Sequence, residues 1–129
     1  MPTNGREEAW LEVTGVIDVQ CISLTQVFEL ASNNQAPSTT GRLCALLKID
    51  TQGFDLAVLS SGEEVVNPQR VRAVLVEMNF ECFYEGQGLA ADTLTFMMDH
   101  GFAPAALYPP TRVLGPRPLP WADMLFLSR

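Results

Sequence analysis

The chain has 129 residues and a formal net charge of −7, with 47% hydrophobic and 18% charged residues. This length fits one domain, and this composition indicates a folded globular protein and excludes a disordered chain. The acidic balance and the scatter of the eight basic residues argue against a nucleic-acid partner. No apolar run approaches the roughly 18 residues of a membrane span, and the N-terminus has no signal-peptide core, so we expect a cytoplasmic protein.

The chain contains three cysteines, Cys21, Cys44 and Cys82, which are far apart in the sequence. An odd number of cysteines without a CxxC motif or a nearby histidine argues against a disulfide framework and against a zinc site. We therefore expect three buried, reduced thiols, which also suits the cytoplasm.

The N-terminal part predicts a flexible segment, then a strand and a helix. Residues 1–15 are polar, whereas residues 16–22, VIDVQCI, alternate loosely and predict an edge strand. Ser23 is followed three residues later by Gln26, a capping-box pattern that predicts the start of a helix. The apolar residues at helical spacing after this start are Leu24, Val27, Phe28 and Ala31.

The clearest strand is residues 43–49, an apolar run that ends at Asp50. A continuous apolar run, stopped by turn residues and followed by helical spacing, is typical of a buried strand in a parallel sheet. The helix that follows, residues 54–60, is predicted to end at Gly62 in a left-handed conformation. Because open α/β sheets bind ligands at the carboxyl ends of their strands, Lys48 and Asp50 are candidate site residues.

Four more elements follow in the second half of the chain. Residues 72–79 predict a second buried strand, residues 89–100 a helix, and residues 102–108 and 121–127 two final strands. The helix residues expected to face inward are Leu94, Met97 and Met98. A helical crossover makes strands 43–49 and 72–79 adjacent and parallel. The predicted fold is therefore α/β, with mostly parallel strands and a terminal antiparallel hairpin.

Three sequence blocks carry a family resemblance: LLKIDTQGFDLAVL at residues 46–59, LVEMNFECFYEGQ at 75–87 and ADMLFL at 122–127. In order and spacing they resemble the later half of the FkbM-like methyltransferases, over residues 16–128. The resemblance implies the C-terminal half of a Rossmann-like sheet, in which the last strand inserts antiparallel beside a parallel neighbour. It also implies S-adenosylmethionine as cofactor and methyl transfer to a hydroxyl of a small molecule, sugar or lipid.

The sequence has no glycine-rich turn of the kind that binds the cofactor in this fold. We therefore expect residues 16–129 to form a partial FkbM-like domain, a fragment that is inactive alone.

The resemblance places the cofactor near the end of the first apolar strand and implies that Lys48, Asp50 and Gln52 bind it. Asp50 would lie near the methionine portion and the transferred methyl group. Gln52 stands where many family members have glutamate, and a neutral amide cannot act as a general base. An alternative role for Asp50 is to cap the helix that follows it by accepting hydrogen bonds from its first amides.

The catalytic residues expected from the same reasoning are Asp50, Glu77 and Tyr84. Glu77 ends the second apolar strand, where a carboxylate needs a partner. A structural ion pair between Glu77 and Lys48 is therefore an alternative to a catalytic role. Tyr84 could contact the substrate or could simply cover the core with its hydroxyl in water.

Substrate contacts are expected from Asn79 and Glu85, which lie at the same edge and in the following loop. Asp50, Glu77 and Asn79 at neighbouring strand ends could also hold a divalent cation such as Mg²⁺, as in the catechol-type methyltransferases of similar fold.

Two functions of different classes follow from the sequence. The first is the methyltransferase. The second is a non-catalytic module that binds a partner or forms a homodimer. The physical reason for the second is that strand 43–49 would present an unpaired apolar edge, which a second copy could cover.

Overall fold

The computed structural model describes residues 15–33, 44–110 and 118–129, and within them the α/β class is confirmed. The elements in chain order are α1 (Leu24–Asn33), β1 (Cys44–Ile49), α2 (Asp55–Ser60), β2 (Val71–Asn79), α3 (Ala90–Asp99), β3 (Phe102–Tyr108) and β4 (Trp121–Ser128). Predictions for residues 1–14 fall outside this range. No helix in the described part of the chain is long and apolar enough to cross a membrane.

The four strands form one sheet in the order β1-β2-β4-β3. The predicted parallel pairing of β1 with β2 is confirmed, with Lys48 opposite Leu75, and so is the antiparallel hairpin of β3 and β4. The prediction of mostly parallel strands is wrong, because two of the three pairings are antiparallel. The physical reason is that β4 turns back after β3 and inserts between β2 and β3.

The core forms around β2, which has neighbours on both edges. Its residues Val71, Val74, Val76 and Met78 are almost fully buried. They belong to one cluster with residues from the helices and from the other strands, including Leu59, Met97, Phe102 and Phe126. Full burial of each such side chain contributes about 1.5–3 kcal/mol. The continuous apolar pattern of β2 is therefore explained by its position inside the sheet.

The prediction that β1 is a buried strand is wrong, whereas the unpaired edge predicted for it is found among the described residues. Only Ile49 is buried in this strand, and Leu46 is 52% exposed. Within the described residues β1 pairs with β2 alone, so it forms one edge of the sheet. An edge strand has fewer neighbours to cover its side chains.

The N-terminal region differs from the prediction at one element and matches it at the next. Residues 16–22 form no strand and are exposed, Val16 at 90%. The capping box is confirmed: the Ser23 N–H donates to Gln26 Oε1 at 2.9 Å, and the Gln26 N–H donates to Ser23 Oγ at 3.2 Å. The first turn of helix α1 is bonded to the C-terminal end of α2, because the Leu24 N–H donates to Ser61 Oγ at 2.9 Å.

Two predictions about the helices are wrong in detail. Gly62 does not have a positive φ; helix α2 ends at Ser60, and its C-cap residue Ser61 has a right-handed conformation. Gly62 is needed for a different reason, since a Cβ there would lie 2.7 Å from the Cβ of Leu24. In α3, Met97 is buried as expected, but Met98 is 43% exposed because it faces away from the sheet.

The three cysteines are free, as expected, but the prediction that they are buried is wrong. Cys21 and Cys82 are exposed because they lie in irregular segments, and Cys44 is half-buried at the start of the edge strand. Partial burial raises the pKa of the Cys44 thiol.

Candidate functional site

A pocket of about 390 Å³ opens at the carboxyl ends of β1 and β2, and we refer to it as the end pocket. Because β4 runs antiparallel to β2, its first residues lie at this same edge, with Trp121 opposite Asn79. The polar side chains that line the pocket are Asp50, Gln52, Glu77, Asn79 and Asp123. The aromatic side chains in the lining are Phe83, Tyr84 and Trp121.

Asp50 is held by two side-chain hydrogen bonds at the rim of the pocket. Lys48 Nζ donates to Asp50 Oδ2 at 2.9 Å, and Gln52 Nε2 donates to Asp50 Oδ1 at 3.2 Å. The bonds from Lys48 and Gln52 lower the pKa of Asp50. The bond to Asp50 in turn raises the pKa of Lys48. Asp50 is therefore more readily ionised than an ordinary aspartate.

The alternative that Asp50 caps helix α2 is not supported, because its hydrogen bonds go to side chains. The carboxylate that bonds backbone amides in this turn belongs to Asp55. Its Oδ1 accepts from the Thr51 N–H at 3.1 Å and its Oδ2 from the Gly53 N–H at 3.2 Å. Sequence reasoning missed Asp55; the signal was an acidic residue in the first turn of a helix, directly after a glycine turn.

Glu77 is half-buried in the pocket, and its pKa is raised. Burial is the largest cause, and the negative charges of Asp55, Asp50 and Asp123 add to it, whereas a hydrogen bond from the Asn79 side chain acts in the opposite direction.

The alternative Lys48–Glu77 ion pair is wrong. Lys48 lies opposite Leu75, two residues before Glu77, and bonds the carboxylate at the end of its own strand instead.

Strand β4 contributes two pocket residues that sequence reasoning missed. Asp123 lies directly opposite Glu77 and Trp121 lies opposite Asn79. Cross-strand partners in an antiparallel pair point to the same face of the sheet, which is why these side chains meet. The available signal was the register of the final hairpin, which a linear pattern does not specify.

The loop after β2 places Tyr84 against the turn that follows β1. Gln87 fixes this loop: its Oε1 accepts from the N–H groups of Phe83 and Tyr84 at 2.9 and 3.1 Å, and its Nε2 donates to the Glu81 carbonyl at 3.0 Å. The Tyr84 ring packs so closely on Gly53 that a Cβ there would lie 2.6 Å from Tyr84 Cδ2.

Of the predicted site residues, the structure brings Asp50, Gln52, Glu77, Asn79 and Tyr84 together in the end pocket. Lys48 contacts the site through Asp50, and Glu85 is exposed outside the lining. The described residues contain no group of three or more histidine, cysteine, aspartate or glutamate side chains arranged to hold a metal ion. The roles assigned to the individual residues stay predictions.

The pocket therefore combines a proton acceptor with a raised pKa, two further carboxylates and an aromatic wall. This combination suits a proton transfer next to a positively charged group.

Comparison with known proteins adds the family. The family model described as Methyltransferase FkbM domain matches residues 2–104. That range contains β1, β2 and the residues they bring to the pocket, and it ends before Trp121 and Asp123. Searches of curated proteins and of solved structures found no match. Because the matched range covers most of the sequence, the chain belongs to the Methyltransferase FkbM domain family.

Proposed function

We propose that the end pocket is the methyl-transfer site of an S-adenosylmethionine-dependent methyltransferase that acts on a hydroxyl of a small molecule, sugar or lipid. One observation carries this proposal. In a chain of a methyltransferase family, Glu77 with a raised pKa lies in the same pocket as Asp50 and Tyr84. Family membership supports methyl transfer, and the position of Glu77 supports a hydroxyl acceptor.

The residues of the pocket fit the cationic part of S-adenosylmethionine. Three carboxylates and three aromatic rings line it, and both kinds of group attract a positive charge. When bound, S-adenosylmethionine supplies an electrophilic methyl group on a positively charged sulfur. Asp50 and Gln52 would hold the methionine portion, and Lys48 would orient Asp50 through their 2.9 Å bond.

Glu77 acts in this proposal as the general base for the acceptor. Glu77 would accept the proton of the acceptor hydroxyl, whose oxygen takes the methyl group as the carbon–sulfur bond breaks and the sulfur becomes a neutral thioether, and Glu77 would later release the proton to water. A raised pKa makes the Glu77 carboxylate a better base near neutral pH, once it is ionised. The Asn79 side chain, whose hydrogen bond acts on the pKa of Glu77, would orient Glu77, and Tyr84 would bond the acceptor oxygen. Glu85 would contact the outer part of the substrate.

The test is transfer of a radiolabelled methyl group from S-adenosylmethionine to a panel of sugars, lipids and small alcohols, by the complete enzyme of which residues 16–129 are expected to form part. Glu77→Gln and Asp50→Ala should lower the rate, Glu77→Gln by about 10²–10⁴-fold, the usual contribution of a general base. Asp99→Asn, a change in α3 outside the pocket, is the matched control. An active chain in which Glu77→Gln retains the full rate would contradict the assignment of the base.

A second candidate function is homodimer formation through the edge of the sheet. The observation that favours it is that β1 exposes Leu46 and has one paired edge in the described part of the chain. Two copies could pair β1 with β1, because an edge strand presents unused amide and carbonyl groups to an identical strand. Light scattering over a concentration series tests this. A constant mass near 14.2 kDa would contradict it.

A further inference from the structure

Asp55 is the acidic residue that is buried in the described part of the chain, with 3% of its surface exposed. A carboxylate is removed from water only where hydrogen bonds replace the lost solvation. Both oxygens of Asp55 have such partners, the N–H groups of Thr51 and Gly53. Asp55 is also the first residue of α2, and this helix is held in the core by the fully buried Leu59.

These two hydrogen bonds enclose the turn that reaches the pocket. Gln52 lies between the two bonded amides and has a φ of 51°, a left-handed conformation that a side-chain residue rarely adopts. This conformation lets the Gln52 amide reach Asp50 at 3.2 Å. The shape of the turn therefore depends on a residue that does not line the pocket.

One packing contact and one charge effect connect Asp55 to the pocket. The Gly53 amide that Asp55 holds belongs to the residue on which the Tyr84 ring packs. The charge of Asp55 also acts on Glu77. The groups around Glu77 are Asp50 at the end of β1, Asp55 in α2, Asp123 in β4 and the Asn79 side chain in β2.

We infer that Asp55 is a positioning residue of the methyl-transfer site, whose carboxylate holds the turn of residues 50–53 in the shape that presents Asp50, Gln52 and Tyr84 to the pocket. The assignment of this site to methyl transfer rests on the proposed function. The positioning role of Asp55 rests on its hydrogen bonds to the turn. Helix capping alone does not account for the geometry, because both Asp55 oxygens bond the preceding turn, and α2 has no side-chain bond at its N-cap residue Phe54.

Nuclear magnetic resonance of the full chain tests this inference without any acceptor substrate. In Asp55→Asn, the pKa of Glu77 should fall, because a negative neighbour is removed. The Gly53 amide should exchange with solvent at least about tenfold faster, because the Asp55 carboxylate that accepts its hydrogen bond is replaced by a neutral amide. The matched control is Asp92→Asn, which removes the first-turn acid of α3 that accepts from the Leu89 N–H at 3.3 Å. The control should change neither quantity.

An unchanged Glu77 titration and unchanged Gly53 exchange in Asp55→Asn would overturn the inference, as would equal effects of Asp92→Asn. If Asp55→Asn does not fold, amide exchange in the unsubstituted chain still tests the inference. The amides of Thr51 and Gly53 should be protected from exchange like those inside α2, and free exchange would overturn the inference. Absence of methyl transfer by the complete enzyme would instead overturn the proposed function and leave the hydrogen-bonded turn in place, so the two failures are distinguishable.

Discussion

Replacement of Gly53 by alanine should destabilise the fold and change the end pocket, for two separable reasons. Gly53 has a φ of 96°, and a left-handed conformation costs an L-residue about 1–2 kcal/mol. The new Cβ would also lie 2.6 Å from Tyr84 Cδ2, and such overpacking typically costs about 1–3 kcal/mol. Because the Tyr84 ring is half exposed and can rotate away, we expect a total of about 2–3 kcal/mol.

Two other glycines provide matched controls. Gly86 has a φ of 77° and open space around its Cα, so Gly86→Ala should show the backbone cost alone, about 1–2 kcal/mol. Gly101 has a φ of 85°, and a Cβ there would lie 2.8 Å from Pro68 Cγ, outside the pocket. Gly101→Ala should therefore lose as much stability as Gly53→Ala but leave the pocket unchanged.

Urea unfolding followed by circular dichroism measures the three free energies of unfolding, and about 1 kcal/mol corresponds to several degrees in Tm for a chain of this size. Methyl transfer by the complete enzyme, compared for the folded variants, reports on the pocket. The reasoning is refuted if Gly53→Ala is no less stable than Gly86→Ala, or if Gly101→Ala reduces methyl transfer as strongly as Gly53→Ala does.

Three further predictions concern single side chains. Glu77→Gln should melt at a higher temperature than the unsubstituted chain at about pH 7.5 and at the same temperature at about pH 3. Because the pKa of Glu77 is raised, the folded state keeps the Glu77 proton to higher pH than the unfolded state does. The stability that this proton contributes is complete at low pH and is lost as pH rises through the raised pKa. Calorimetry at both pH values measures which of the two proteins melts at the higher temperature. Ser61→Ala should lower the free energy of unfolding by about 1–2 kcal/mol, because Ser61 Oγ accepts from the Leu24 N–H and donates to the Val58 carbonyl, and an unchanged urea midpoint would contradict this. Lys48→Met should raise the pKa of Asp50, since the largest cause of its lowering is removed, and carbon resonance titration of Asp50 measures the shift.

The parts of the fold that local patterns determine were predictable from the sequence. The capping box at Ser23 predicted the start of α1, and the apolar runs predicted β1 and β2 with their parallel pairing. The same runs brought Asp50 and Glu77 to one edge of the sheet, so most of the polar lining of the end pocket was predictable.

What the sequence did not predict depends on contacts between distant residues. The family resemblance implied that the last strand lies antiparallel beside a parallel strand, but a linear pattern does not give its register with β2, so Trp121 and Asp123 were missed. Burial likewise depends on neighbours: residues 16–22 have strand-like residues and no strand beside them among the described residues. The predicted Lys48–Glu77 ion pair was wrong, because the partner of Lys48 depends on a two-residue difference in the register of β1 and β2.

The insertion of β4 between β2 and β3 has a consequence for the order of folding. The sheet cannot close until residues 121–128 are available, because β2 and β3 have no direct pairing and are joined through β4. Pairings between segments so far apart in sequence slow the folding of a domain. During synthesis, β1 and β2 would therefore leave the ribosome with one edge of β2 unpaired and would wait for the hairpin. Until that pairing forms, the amide and carbonyl groups along one edge of β2 lack the strand partner that β4 provides in the folded sheet.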